Sequence, residues 1–386
     1  MQKSLIEKKI IVPMKLLVCS QRGFGDATGS GNSMPEVKAE DTGGYYKDRQ
    51  DLKKRFEAKD PFYDPYNPYV WMHVLPRAWQ PYLRFCRIDQ NFGRMLILNP
   101  HLWGIAIASS LGGLPDLVNL ALFFTGSIYS HACSCSFDDL ADVKVDATNV
   151  RTKGRPLVVK SMSTTSAVAI VGALAAGSFG VLSMLSPTAI GFGLLATPCI
   201  IAYPYMKRFF QYPQVFLAFA LNLGVFMGFG AVANFVSLPI CIPLYIGGIA
   251  YTIAYDSIYA FQDIEADTKA GVYSTSQKFL KYARAINGTL VGITISMNTL
   301  AGFIAGLHPV FLPILGIGAA HLVWQAWKLN PKNGPLCDHM LNISYRYGVF
   351  VLLAYIAGVY FAKKKKNEVE AELDKKKVDG IIEDGS

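Results

Sequence analysis

Nine apolar stretches, at 95–113, 117–136, 165–185, 188–206, 215–237, 240–261, 285–305, 310–327 and 347–362, restrict this chain more than any other feature. Most approach the ~20 residues that a helix needs to cross about 30 Å of hydrocarbon. Gly and Pro inside them suit a membrane bundle, where neighbouring helices satisfy the backbone. Only 17% of the 386 residues are charged, against roughly 25% in an ordinary soluble domain. That charge gathers in residues 1–94, in the connections and in 363–386. A soluble core of this length needs more polar surface, so the sequence predicts an all-α, polytopic membrane bundle of nine transmembrane helices.

The connections set the orientation. Arg84, Arg87 and Arg94 precede the first stretch. Lys144, Arg151, Lys153, Arg155 and Lys160 follow the second, and Lys207 and Arg208 the fourth. Lys269, Lys278, Lys281 and Arg284 follow the sixth, and Lys328, Lys332 and Arg346 the eighth. The intervening connections, "LGGLPD", "SP", "LP" and "GLHP", hold no Lys or Arg. Cations on alternate connections place those loops on the cytosolic or matrix side. The tail "KKKKNEVEAELDKKKVDG" is the exception: nine spans put it on the other side, where it reads as a solvated, partly helical extension. The net charge of +9 is therefore a topology signal, and no nucleic-acid motif accompanies it. Seven cysteines are scattered. Cys133 and Cys135 lack the second pair of a zinc site and read as small core residues.

Residues 1–25 are basic and acid-poor, with Lys3, Lys8, Lys9, Lys15 and Arg22 against Glu7, and read as a mitochondrial presequence. Residues 26–78 are a polar linker ending in the Pro/Tyr-rich "DPFYDPYNPYVWMHVLP", suited to a membrane interface. The membrane domain covers 79–362, and 363–386 is the charged tail.

Two of the cationic loops are also acidic. The first, "DDLADVKVD", carries Asp138, Asp139, Asp142 and Asp146; on a helix Asp139, Asp142 and Asp146 share one face. The second, "YDSIYAFQDIEAD", places Asp256, Asp263 and Asp267 on one face, with Glu265 pointing away. Carboxylates crowded at the end of an apolar helix repel unless a cation compensates. Mg²⁺ takes oxygen ligands and bridges carboxylates to substrate phosphates. Arg151, Lys153, Arg155, Lys207, Arg208 and Lys269 can neutralise the remaining phosphate oxygens. Such a site can ionise an allylic diphosphate whose lipid tail lies in the bilayer, and an electron-rich ring can trap the cation. Tyr203, Tyr205, Tyr255 and Tyr259 offer π-faces for that cation.

These motifs resemble those of the UbiA superfamily of intramembrane aromatic prenyltransferases. "DDLADVKVD" is similar to its NDxxDxxxD motif and "DIEAD" to its DxxxD. "YDSIYAFQDIEADTKAGVYST", "YPYMKRFFQYPQ", "QPYLRFCRID" and "RTKGRPL" resemble the 4-hydroxybenzoate polyprenyltransferase branch. The resemblance covers residues 79–360. It implies a nine-helix bundle whose central cavity is capped by Asp-rich loops facing the matrix at the inner mitochondrial membrane. It implies Mg²⁺ as cofactor, held by Asp138, Asp139, Asp142, Asp146, Asp263 and Asp267. Polyprenyl diphosphate would be held by Arg155, Lys207, Arg208 and Lys269, with Asp256 near 4-hydroxybenzoate and Arg87 on the cavity wall. The product would lie on the path to ubiquinone.

Several positions depart from the pattern. Asp138 stands where the family has Asn, and His131, Ala132 and Ser134 replace an Arg and two glycines. Gln90 and Asn91 stand in place of Lys-Pro. These changes leave a second reading: a catalytically inactive member of the fold, serving as a structural or quinone-binding subunit among quinone-biosynthesis or respiratory proteins.

Overall fold

The structure, a computed structural model, describes residues 75–88, 91–111, 116–149 and 151–378. The expected presequence, the linker up to residue 74, Gln90, the side chain of Asn91 and residues 379–386 lie outside them. All regular structure among the described residues is helical. A short α1 (Gln80–Phe85) leads to α2 (Asn91–Ala108), α3 (Leu117–Ala141) and a one-turn α4 (Val143–Asp146). Then come α5 (Thr164–Leu182), α6 (Pro187–Met206), α7 (Pro213–Asn222) and α8 (Gly224–Ala233). The second half holds α9 (Leu238–Ala260), α10 (Ile264–Ala270), α11 (Thr275–Phe279), α12 (Ala283–Ile304), α13 (Phe311–Lys328) and α14 (Gly334–Val378).

Small polar residues cap several of the helices and satisfy orphan amides of the first turn. The Asp116 carboxylate accepts from Val118 N–H at 2.8 Å, Ser163 caps α5, and Ser186 caps α6 just before Pro187. Asn234, at φ 60°, ends α8. The expected stretch 215–237 is split at Leu223 into α7 and α8. Among the described residues, five helical segments are long and apolar enough to cross a membrane: Thr164–Leu182, Pro187–Met206, Pro213–Ala233, Leu238–Ala270 and Gly334–Leu373. The expected count of nine also draws on α2, α3, α12 and α13, which are shorter or more polar.

Burial separates the inner helices from the outer ones. Of the most apolar window in Thr164–Leu182 only 6% is buried, against 67% in Leu238–Ala270. An apolar helix with almost no protein cover needs lipid around it, so α5 is peripheral and α9 central. The core beside α9 is aromatic and polar together. Trp103 Nε1 donates to Gly348 O (2.8 Å), Tyr251 Oη to Ser344 O (2.7 Å) and Tyr355 Oη to Asn298 O (2.8 Å). Buried donors need such partners where water is absent. Helices α2 and α8 cross backbone to backbone. A Cβ at Gly104 would strike the Val225 carbonyl and the Phe229 amide, and one at Gly228 the His101 carbonyl. Small residues permit this approach.

Candidate functional site

The acidic residues gather where α3, α6 and α9 end. Asp138 and Asp139 lie in the last turn of α3 and Asp142 caps it. Asp142 N–H donates to Asp138 O (2.9 Å) and Asp146 N–H to Asp142 O (2.8 Å), so the helical path runs almost unbroken through α4. Along it the carboxylates divide into two pairs. Asp139 and Asp146 share Arg155, whose Nη1 is 2.8 Å from the first and 2.6 Å from the second. Asp138 and Asp142 share Lys207, whose Nζ is 2.8 Å and 3.2 Å away. The expected common face of Asp139, Asp142 and Asp146 is thus corrected: Asp142 turns with Asp138, four residues back, toward the end of α6.

Arg87 completes the first pair, its Nη2 lying 2.6 and 2.9 Å from the two oxygens of Asp139. It follows α1 in the left-handed region, at φ 53°, and Ser136 Oγ donates to Phe85 O (2.8 Å), fastening α1 to α3. Arg208 is peripheral: half exposed, it donates to Ala141 O (2.8 Å) and lies 3.6 Å from Asp142.

The second motif reaches the first through the 147–163 loop. Arg151 Nε donates to Asp263 Oδ1 (3.0 Å) and Nη2 to Oδ2 (2.7 Å). Asn149 Nδ2 donates to Asp263 Oδ1 (2.9 Å), while Asn149 Oδ1 accepts Arg151 N–H (2.9 Å). Tyr273 N–H donates to Lys207 O (2.7 Å), joining the turn after α10 to the end of α6. The expected single face of Asp256, Asp263 and Asp267 is broken by a 3₁₀ turn at Phe261–Asp263. Asp267 nevertheless lies within electrostatic reach of Asp263, Lys207, Arg151 and Asp142, so both motifs occupy one end of the bundle. Asp256 sits deeper, within reach of Lys207 and Asp138, and its buried Oδ2 has no hydrogen-bond partner among the described residues.

Lys269 is not drawn in. It pairs with Glu265 at 2.7 Å, both largely exposed on the outer side of α10. Two tyrosines join the cluster through their faces, with Arg151 at 4.8 Å from the Tyr259 centroid and Lys207 at 4.9 Å from that of Tyr203. Arg151 stood out in the sequence only as one of several basic residues, and Asn149 not at all; its signal is an amide two residues before an arginine in a loop. His131 packs its ring against Gly93, where a Cβ would meet Nε2 at 2.6 Å.

Burial sets the charge states at the rim. It pushes the Asp142 carboxyl above the usual range, with Lys207 opposing and Asp138 adding to the rise. Burial raises Asp146 too, against the pull of Arg155. Burial disfavours charge on Lys207, but Asp138, Tyr203 and Asp142 outweigh it and hold the ammonium well above its ordinary range. Burial likewise disfavours charge on Arg151 and Arg155, but Tyr259 and Asp263 outweigh it for the first, and Asp139 and Asp146 for the second.

The donors are all oxygens, which suits a hard divalent cation. Asp138, Asp139, Asp142, Asp146 and Asp263 are each held by a guanidinium or ammonium. Asp256 and Asp267 form no ion pair among the described residues. No three acidic side chains among those residues converge as a bound ion would require. The donor chemistry suits a hard cation, while the carboxylates themselves are turned toward the arginines and Lys207.

Residues 97–359 match the UbiA prenyltransferase family. The chain is 35% identical over 304 residues to the mitochondrial 4-hydroxybenzoate polyprenyltransferase of Dictyostelium discoideum, covering 78% of this chain and 65% of that protein. It is 34% identical over 282 residues to a 4-hydroxybenzoate octaprenyltransferase of Pseudomonas aeruginosa, covering 73% and 94%. Its fold is similar to that of a UbiA homologue from Archaeoglobus fulgidus solved with GPP and Mg²⁺, at a TM-score of 0.53, 18% identity, and coverage of 73% and 99%.

Proposed function

The chain belongs to the UbiA prenyltransferase family, and from that premise we propose that it transfers a polyprenyl group from its diphosphate to the ring of 4-hydroxybenzoate, toward ubiquinone. The observation that carries this reading is the union of two acidic motifs, more than a hundred residues apart, through Asn149, Arg151 and Asp263. The names of the Dictyostelium and Pseudomonas relatives supply the acceptor. The run "YDSIYAFQD" points the same way. The name of the first relative and the apolar helices support a mitochondrial membrane. We assign it to the inner membrane, with the acidic end toward the matrix.

Asp138, Asp139, Asp142, Asp146, Asp263 and Asp267 would hold magnesium, as the Archaeoglobus structure suggests for its own chain. Bound there, the metal would neutralise the diphosphate as it leaves the allylic carbon. Arg155, Arg151, Lys207 and Arg208 exchange their carboxylate partners for phosphate oxygens, which keeps the buried charge balanced at each stage. As Arg151 and Lys207 shift, the faces of Tyr259 and Tyr203 become free for the electron-poor carbon. The aromatic carbon beside the phenol bonds to that carbon, and the ring proton leaves to a base. Asp256 lies below the rim with an oxygen free to accept a hydrogen bond or that proton. Burial of the cluster away from water would protect the cation from hydrolysis.

The reading is tested by reconstituting the full chain and supplying 4-hydroxybenzoate, prenyl diphosphates of several lengths, and Mg²⁺ or EDTA. A 3-prenyl product that forms only with Mg²⁺ supports it. Transfer to a different phenol alone overturns the acceptor, and no transfer to any ring overturns the activity.

A further inference from the structure

The last helix continues past the membrane on the side away from the acidic cluster. Its first turns pack beside Phe261–Asp263, and farther along Gly358 O accepts His308 N–H at 3.1 Å from the α12–α13 turn. Its 45 residues span ~67 Å at 1.5 Å per residue, about twice the hydrocarbon thickness. Exposed Tyr360 and Phe361 mark the exit, as aromatic residues do at membrane–water boundaries. Lys363, Lys364, Lys365 and Lys366 follow at once, all exposed, and the first acidic residue is Glu368. With the bilayer edge at these rings, the four lysines fall at headgroup depth and the first carboxylate beyond them.

Between this emergent segment and the 306–309 turn lies an open groove of about 520 Å³. Leu307 and Pro309 line one wall, and Lys365, Lys366, Val369 and the carboxylate-bearing Glu370 the other. Lys366 is 3.8 Å from Glu370, whereas Lys365 has no ion pair among the described residues. His308 also lines the groove; its Nδ1 accepts from Val310 N–H (3.3 Å), which leaves Nε2 as the ring nitrogen able to donate.

We propose that this groove binds the phosphate of an anionic membrane lipid, in the leaflet opposite the acidic cluster. Cations on two successive positions, a histidine donor and apolar walls at the bilayer edge match a phosphate carried on an acyl glycerol. A juxtamembrane block of four lysines attracts such headgroups, and lysine stems can lie along apolar surface while the ammonium stays wet. The site also accounts for lysines on the side that the other loops keep free of cations.

The test places the full chain in nanodiscs of phosphatidylcholine containing a trace of photoreactive phosphatidylglycerol or photoreactive phosphatidylcholine. Labelled peptides are then mapped. Labelling of 306–309 and 362–370 by the anionic probe should exceed that by the zwitterionic one. It should fall about fivefold for each lysine removed in K365Q and K365Q/K366Q. K278Q/K281Q, on the other side, should leave it unchanged. Inorganic phosphate, compared at matched ionic strength with chloride, should not displace the label. Equal labelling by both probes, indifference to K365Q/K366Q, displacement by phosphate, or cross-links to a second copy in place of lipid each overturn the proposal. If the double variant does not fold, the ratio between probes on the native chain decides. The readout does not need prenyl transfer and is repeated in D139N, so its failure is separate from failure of the proposed activity.

Discussion

Arg151 grips both carboxylate oxygens of Asp263 while its guanidinium lies against the Tyr259 ring, so one side chain from the first acidic loop holds the second motif in place. An arginine fork fits this role because two parallel N–H donors fix the carboxylate plane. Arg151→Lys keeps the charge and loses the fork. Its expected effect is a roughly tenfold rise in KM for the prenyl diphosphate and a smaller change in kcat. Metal-free stability should fall by about 1.5–3 kcal/mol, read by thermal unfolding in detergent. An unchanged KM would remove Arg151 from the diphosphate site.

Asp139→Asn and Asp263→Asn retain shape and remove charge. Each should lower Mg²⁺-dependent prenyl transfer by about 100-fold or more and weaken Mn²⁺ binding followed by electron paramagnetic resonance. Glu265→Gln provides the contrast. Glu265 is exposed and its partner Lys269 points outward, so turnover should stay within about twofold. A large loss in Glu265→Gln would return Lys269 to the site.

Acid should act oppositely on stability and on metal affinity. Asp142 and Asp146 have raised folded-state values, chiefly through burial. A carboxyl raised on folding favours the folded state at low pH, and that contribution is lost as pH climbs through the folded value. In EDTA, this pair should make the protein more stable at a pH below their folded values than at a pH above them. Metal affinity should move the other way, because the same protons must leave before an ion binds. Melting curves with and without Mg²⁺ at several pH values check both signs.

Gly104→Ala and Gly228→Ala should each cost about 1–3 kcal/mol through overpacking, since the added carbon meets backbone of the facing helix. Gly172→Ala, with nothing within 4 Å of its Cβ, should be neutral or slightly stabilising. Yield and melting temperature after purification separate the two outcomes.

The acidic positions were legible because carboxylates stand out at the end of apolar helices, and because cations in alternate loops put both motifs on one side. Their partnerships were not. Helical periodicity put Asp142 with Asp139, but Lys207 from α6 takes it with Asp138, and a contact between distant segments leaves no periodic trace. The 3₁₀ turn at Phe261–Asp263 was hidden for the same reason: Asp263 at its end is held by Arg151 and Asn149, which approach from another loop. The last span was placed at 347–362, yet the helix begins at Gly334. Asp338, Asn342 and Ser344 lower the hydropathy there, but their polar atoms are satisfied by protein, as in the Ser344 hydroxyl's bond to Met340 O at 2.7 Å.

The continuous α14 has a mechanical implication. A helix that starts beside Asp263 and reaches Lys366 without a break is a strut of fixed length, so the depth of one end dictates the depth of the other. The chain therefore carries its own gauge of bilayer thickness. In a thinner or thicker membrane the protein must tilt or the lipid must deform, and the mouth of the bundle and the far lysines register that adjustment together.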